Sequence, residues 1–347
     1  MTARLSCHST AVANLLRYRG VFIESLEPTV VSKQLVPEKD PSAFLGASRK
    51  IMSGGLPIGP ATHLAEERER LAALTWQSFG VTQLGSTLGA EITGIDLTTD
   101  LSDEVIAELH RALDNYKVIF FREQPLTSEQ HVAFARRFGE LEIHPFIPSN
   151  TGVPELVRFE KTAEVAGYEN SWHHDVTWRE SPSMGAILHG IEVPPVGGDT
   201  LFSDMGAAYD GLPEEIKAQI DGLTAEHDFM KSFGHTVPED RKAETREMFP
   251  LVEHPVVITH ERTGRKLLYV NRNFVNKIVG ISEEESTALL GYLCDQAATV
   301  EYQIRFQWQA DSVAFWDNRA VQHYASSDYW PQRRVMERAS VKGIRPS

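Results

Sequence analysis

The stretch Ser171-Trp172-His173-His174-Asp175-Val176-Thr177-Trp178 decides how the rest of the chain is read. His173 and Asp175 lie two residues apart among β-branched and aromatic neighbours, a composition that favours a strand. At a period of two, both side chains point to one face with Cα atoms roughly 6.6 Å apart, so one metal ion can reach both. On a helix the same spacing splays them about 200° apart and the site fails. One more imidazole on that face completes a 2-His-1-carboxylate set, which leaves open positions on a non-haem Fe(II). The chain holds 13 His, and a lone His-x-Asp pair reads equally well as a strand histidine beside a solvated aspartate. The surroundings have to decide.

Downstream, residues 184–193 read as a second strand closed by Pro194-Pro195, and Gly197-Gly198-Asp199-Thr200 as a tight turn into a third. Residues 223–228 form a further strand, followed by a charged, mobile loop over 235–250. Residues 256–260 and 266–270 flank Thr263-Gly264, a hairpin signal. Three strands close the chain, at 302–308, 312–316 and 332–342. Upstream, residues 149–170 are polar and irregular, the composition of a lid, and His144-Pro145 opens the loop before them. Residues 79–93 read as a hairpin and 117–121 as a buried strand. Ser102 caps one helix, Thr127 with Gln130 boxes another, and Ser282 with Glu285 a third. Many short strands at hairpin spacing, flanked by helices, predict a mainly β (α+β) fold with a double-sheet jelly-roll core.

With 347 residues, 41% hydrophobic and 24% charged, the chain has the make-up of a soluble globular protein with room for one large domain plus an appendage. A net charge of −14 argues against nucleic acid or an anionic membrane as partner, so an anionic ligand has to be held by a few placed cations. Cys7 and Cys294 form no CxxC pair, and no apolar run approaches the length of a membrane span, about 18 residues. A reducing cytoplasm is the expected compartment. Nothing in the sequence specifies or opposes assembly into a homo-oligomer. Residues 1–75, punctuated by Pro28, Pro37, Pro41, Pro57 and Pro60 around Gly54-Gly55, read as an N-terminal extension, with one charged helix over 62–74. The signals sharpen from residue 76, and residues 76–347 read as the functional domain.

Near the C-terminus stands Trp316-Asp317-Asn318-Arg319-Ala320-Val321-Gln322-His323-Tyr324-Ala325, and then Asp328-Tyr329-Trp330-Pro331-Gln332-Arg333-Arg334. Together with Trp172-His173-His174-Asp175 and Gly197-Gly198-Asp199-Thr200, these motifs resemble the taurine dioxygenase family of Fe(II)- and 2-oxoglutarate-dependent oxygenases. The likeness runs from about residue 80 to 346 and leaves the extension outside. It implies a double-stranded β-helix, in agreement with the strand count.

By position, the resemblance makes His173, Asp175 and His323 the iron ligands, and Arg334 and Thr200 the holders of the distal carboxylate of 2-oxoglutarate. It puts the substrate sulfonate on Arg338 and His144, between walls that include Phe233 and Phe274. A guanidinium can meet a carboxylate with two parallel N–H···O bonds, which lysine cannot. Arg334 and Arg338 share one strand face, whereas Arg333 and Glu337 read as a solvated pair on the other. The plainer alternatives are a buried histidine bonded to a carbonyl for His323 and internal salt bridges for the two arginines. They are a turn cap for His144 and core packing for the two phenylalanines. Where taurine-binding members place a tyrosine and an asparagine near the substrate ammonium, this chain has Ile147 and Glu169, with Asn170 one residue away.

The implied reaction couples decarboxylation of 2-oxoglutarate, with O2, to hydroxylation of taurine or a related alkylsulfonate at the carbon next to sulfur. The products are sulfite, an aldehyde, succinate and CO2. A sulfate ester or an aryloxyalkanoate is the alternative substrate within the family. From other classes, a zinc hydrolase or a non-catalytic metal-binding β-barrel uses the same three ligands. Neither needs Arg334 and Thr200.

Overall fold

Capping starts the helices where the sequence places them. In the computed structural model, which describes residues 61–144, 149, 150, 152–167 and 169–347, the Ser102 hydroxyl accepts from the Val105 N–H and opens a helix over Asp103–Tyr116. Reciprocal capping boxes open Ser128–Arg136 and Glu283–Asp295. Expectations about residues 1–60 and Ile147 fall outside the described residues.

The strands, in chain order, begin with β1 (Gly80–Gln83), β2 (Ala90–Thr93), β3 (Val118–Phe121), β4 (Ser149–Asn150) and β5 (Val153–Lys161). Next come β6 (Gly185–Glu192), β7 (Thr200–Asp204), β8 (Thr224–His227), β9 (Val252–Pro255), β10 (Val257–Thr259) and β11 (Lys266–Leu268). The last are β12 (Val275–Ile278), β13 (Gln303–Phe306), β14 (Val313–Asp317), β15 (Val321–Ala325) and β16 (Arg334–Val341). An eight-stranded sheet runs β1-β2-β3-β14-β6-β16-β5-β4, and a three-stranded sheet runs β13-β7-β15. These are the two layers of the jelly roll, and they remain open at their edges.

Alternation along each strand divides the core. Ile119, Phe121, Ile187, Phe315 and Ala339 turn to one face of the large sheet and bury against the helices at 103–116 and 128–136. Val118, Phe120, Ala186, Trp316 and Met336 turn to the other face and meet Phe202, Ile304 and Phe306 of the small sheet. Upstream of β1, the helix Ala65–Ala72 adds Leu71 to the first of these cores.

Four sequence expectations are corrected. The opening stretch is no regular strand: His173 makes one isolated bridge and Asp175 starts a turn in which Val176 adopts a φ of 50°. Local β-propensity yields there to tertiary contacts. Residues 153–161 form β5, paired with β16 over 156–161 and with β4 at Val153 and Val157, and so are part of the sheet and not of a lid. Their sequence looks irregular because Arg158 and Glu160 face outward to ionic partners while Val157, Phe159 and Lys161 face in. The loop at 235–250 contains a helix, Lys242–Met248, tied by Arg246 to the Asp228 carboxylate at 2.7 Å. Its residues are good helix formers, but with no buried side the helix shows no apolar period. Glu337 is buried, accepting from Ser128 Oγ and Arg158 Nη1 at 3.0 Å each, while Arg333 goes to Glu160 and Glu192. It is no solvated partner of Arg333.

Candidate active site

The site residues collect in the gap between the sheets. On β15, His323 lies opposite Phe202 of β7, and two residues on Ala325 lies opposite Thr200, so Thr200 and His323 share a face. Arg334, Met336 and Arg338 share the opposing face of β16. His173 arrives by an antiparallel bridge to His323, with N–H···O distances of 3.1 and 2.9 Å. Asn318 then fixes the turn. Its side-chain oxygen accepts from the Asp175 N–H at 2.7 Å, and its amide donates to the carbonyls of Asp175 at 2.9 Å and Ser183 at 3.1 Å. The side chains of His173 and Asp175 therefore converge through this clamp, not through strand alternation.

One donor atom from each of His173, Asp175 and His323 lies within 4.8 Å of the others. His173 Nε2 is 3.8 Å from Asp175 Oδ1 and His323 Nε2 is 3.9 Å from Asp175 Oδ2. These gaps are too long for hydrogen bonds, and two metal–ligand bonds of about 2.1 Å can span them. The His173 Nδ1–H donates to the Ser171 carbonyl at 2.8 Å, which turns the Nε2 lone pair towards Asp175. Burial, reinforced by His173, pushes His323 well below the ordinary imidazole range, so it is a neutral donor. Burial alone would raise the Asp175 carboxyl, but the Arg338 guanidinium beside it outweighs that and holds the group far below the usual range. Two imidazole nitrogens and one ionised carboxylate fit a divalent first-row metal.

Beside this cluster, a cavity of about 80 Å³ is lined by Thr200, Leu188, His323 and Arg334 among others. Arg334 is buried, and its Nε and Nη2 find no hydrogen-bond partner among the described residues. Its guanidinium lies 5.9 Å from the Trp308 ring and 5.7 Å from that of Tyr329. Trp308 Nε1 donates to Thr200 Oγ1 at 2.9 Å, which leaves the hydroxyl hydrogen for a ligand. Unpaired donors on a buried charge are costly, and an anion would relieve that cost.

A larger cavity of about 660 Å³ adjoins it, lined by His144, Phe233, Phe274, Glu169 and Arg338. Arg338 donates from Nη1 to Asp175 Oδ2 at 2.9 Å, while its Nε is buried without a partner among the described residues. Burial, with help from Arg338 and Arg179, lowers His144 to about 4. Phe274 both lines the cavity and packs on Val176 and Trp178, so the core and wall readings hold together there. Glu169 faces the cavity with Oε1 2.6 Å from Lys161 Nζ, whereas Asn170 is exposed. His174 points away and packs 4.8 Å from the Tyr269 ring.

Sequence reasoning overlooked Asn318, Trp308 and Lys161. Asn318 stands inside a quoted motif and offered a signal; Trp308 looks like an ordinary strand residue, and Lys161 like part of an irregular polar loop. A second group of possible ligands, Asp114, His260 and Asp317, is an ionic network: Arg262 holds Asp114 at 2.8 Å, and His260 at 2.9 Å and Arg319 hold Asp317.

A donor set of this kind beside a buried arginine with unsatisfied N–H groups suits a metal-dependent oxygenase with an anionic co-substrate. Residues 80–340 match the model of the taurine catabolism dioxygenase TauD, TfdA family, and the chain belongs to that family. An alkylsulfatase of Acinetobacter baylyi is 35% identical over 275 residues, covering 77% of this chain and 86% of that protein. An alpha-ketoglutarate-dependent sulfate ester dioxygenase of Pseudomonas putida is also 35% identical, over 75% and 88% of the two chains. Relatives at 33% identity are named for 2,4-dichlorophenoxyacetate in Cupriavidus pinatubonensis and for sulfonates in Saccharomyces cerevisiae. A crystal structure of a taurine dioxygenase from Burkholderia xenovorans superposes with a TM-score of 0.68 at 38% identity, over 78% of this chain and 91% of that one. The chain is thus a 2-oxoglutarate-dependent dioxygenase, of a family that requires Fe(II), 2-oxoglutarate and O2. Family membership sets aside the zinc hydrolase and the non-catalytic barrel.

Proposed function

We propose that the enzyme oxidises an alkyl sulfonate or alkyl sulfate ester at the carbon that carries the sulfur-containing group, with the activity housed in residues 76–347 and the cytoplasm as its compartment. Cys294, buried, with its thiol pushed up to about 12 by burial, suits a reducing compartment. No helix among the described residues is long and apolar enough to cross a membrane. His173, Asp175 and His323 hold Fe(II), which with 2-oxoglutarate and O2 supplies the oxidising power. Arg334 and the Thr200 hydroxyl hold the distal carboxylate of the co-substrate. With Asp175 engaged by the metal, Arg338 and the neutral N–H of His144 donate to the substrate anion, and Phe233 and Phe274 flank its chain. The observation that carries this reading is the pair of arginines on one face of β16, both buried and both with unpaired donors. Two cations of this kind beside a metal cluster call for two anions.

Sulfite or sulfate release, coupled to 2-oxoglutarate consumption, is the test. An apolar wall gains about 0.8 kcal/mol per buried CH₂, while a buried ammonium without a partner costs several kcal/mol. Butane- or pentanesulfonate is therefore turned over at least as well as taurine at sub-saturating concentration, with an alkyl sulfate as the parallel substrate. A taurine preference above tenfold would remove the apolar-tail reading. If only an aryloxyalkanoate supports turnover, the anion is a carboxylate and the sulfur reading fails.

Asn318 acts through Asp175 as a positioning residue. Asn318→Ala leaves buried backbone groups unsatisfied, at about 1–3 kcal/mol each, and loss of a group that orients a metal ligand weakens metal binding by roughly 10- to 100-fold. An Fe(II) titration and a thermal melt read the two effects separately. A lower melting temperature with unchanged metal affinity would make Asn318 a folding residue only.

A further inference from the structure

Lys161 and Glu169 stand where the two cavities meet. Both residues line the small cavity beside Arg334 and the large one beside Arg338, as do Phe159 and His173. Lys161 ends β5 directly opposite Arg334 in the strand pairing. It is buried, and its Nζ is 2.6 Å from Glu169 Oε1. Of the other charged groups on the large cavity, Arg158 is held by Glu337 at 3.0 Å and Glu160 by Arg333 at 2.7 Å, both on the outer face.

The charges inside can then be counted. Fe(II), Arg334 and Arg338 bring four positive charges, and Asp175, dianionic 2-oxoglutarate and a substrate with one anionic group bring four negative ones. Lys161 and Glu169 cancel each other, so the site is neutral when the substrate carries one negative charge and no other. An ammonium on the substrate would compete with Lys161 for Glu169. A second anion on the substrate would compete with Glu169 for Lys161. Lys161 is buried and Glu169 half-buried, so drawing either one to the substrate leaves the charge of the other less well compensated.

We propose that the Lys161–Glu169 pair is a specificity determinant, restricting the enzyme to substrates with a single anionic head and an uncharged tail. This rests on the dioxygenase reading of the metal cluster and the two arginines. In that reading, Glu169 is no ammonium receptor, because the chain supplies its own ammonium. The pair also makes a prediction in each direction. Removing the lysine charge leaves a carboxylate for a zwitterionic substrate, and removing the glutamate charge leaves an ammonium for a dianionic one.

The experiment uses the full chain loaded with Fe(II) and 2-oxoglutarate and three probes of similar length: propanesulfonate, taurine and 3-sulfopropanoate. It compares kcat/KM ratios in the wild type, Lys161→Met and Glu169→Gln, with anaerobic calorimetry of each probe as a readout independent of turnover. Charge-assisted contacts of this kind correspond to changes of roughly 10- to 150-fold. Lys161→Met should raise taurine relative to propanesulfonate by a factor in that range, and Glu169→Gln should do the same for 3-sulfopropanoate. Lys161→Gln, which keeps an N–H donor for Glu169 without the charge, serves if Lys161→Met does not fold. Ratios that stay unchanged while the wild type turns over sulfonates would overturn the specificity role alone. A wild type that couples no sulfonate or sulfate ester to 2-oxoglutarate would overturn the substrate reading on which it rests.

Discussion

Asp175→Ala and His323→Ala each abolish turnover, yet they differ in the stability of the metal-free protein. Both remove a donor from a three-ligand cluster whose atoms lie within 4.8 Å of one another, and a facial site with open positions has no spare ligand. Asp175 has a second task. Its Oδ2 accepts from Arg338 Nη1 at 2.9 Å in a buried setting, so Asp175→Ala also leaves that guanidinium without its carboxylate. Breaking a buried pair by removing one partner costs about 3–5 kcal/mol, which lowers the melting temperature by roughly 2–4 °C per kcal/mol in a chain of 150–250 residues and somewhat less in a larger one. His323 shares no such pair and already lies buried as a neutral ring, so His323→Ala costs packing alone. Fe(II) titration, turnover and metal-free melting curves on the two proteins separate these effects. Tight Fe(II) binding with near-normal turnover in either variant would remove the iron assignment. Equal metal-free melting temperatures would show that the Arg338 contact is too weak to matter to the fold.

Arg334→Lys weakens 2-oxoglutarate by roughly 10- to 150-fold, the range expected for hydrogen bonds to charged groups, and affects the sulfonate substrate less. Lysine keeps the charge but not the planar fork that lets two N–H groups meet two carboxylate oxygens. The guanidinium also lies within 6 Å of the Trp308 and Tyr329 rings, at cation–π range, a placement that a lysine ammonium does not reproduce. Thr200 cannot compensate, because its oxygen already accepts from Trp308 and offers a single hydrogen. Initial rates against 2-oxoglutarate at fixed sulfonate, and the converse series, measure the split. A loss confined to the sulfonate would show that Arg334 and Arg338 have exchanged roles.

Much of the fold was legible because its signals are local. Ser102, the boxes at Thr127–Gln130 and Ser282–Glu285 and the glycine turn before Thr200 act within a few residues of themselves. The strand β15 was harder, since Val-Gln-His-Tyr-Ala has no apolar alternation; it pairs with β7, and its Gln322 is buried because the amide donates to the Val270 carbonyl at 2.8 Å. The same holds for β5, whose charged residues looked like those of a loop until Glu337 and Arg333 were in place beside them.

The sequence by itself determined the chemical inventory and its order: two imidazoles and a carboxylate, two arginines four residues apart, a threonine after a glycine turn, and a net negative chain that must hold anions with placed cations. Only the tertiary structure decided how these groups face one another. The conformation of Asp175 depends on Asn318, 143 residues away, and the state of Glu169 on Lys161 in a different element. Glu337 is buried because Ser128 and Arg158 meet it there. Spacing along a chain sets which side chains can share a face, but the partner that a buried charge finds is fixed by the packing of distant segments, because burial raises the cost of leaving that charge unpaired.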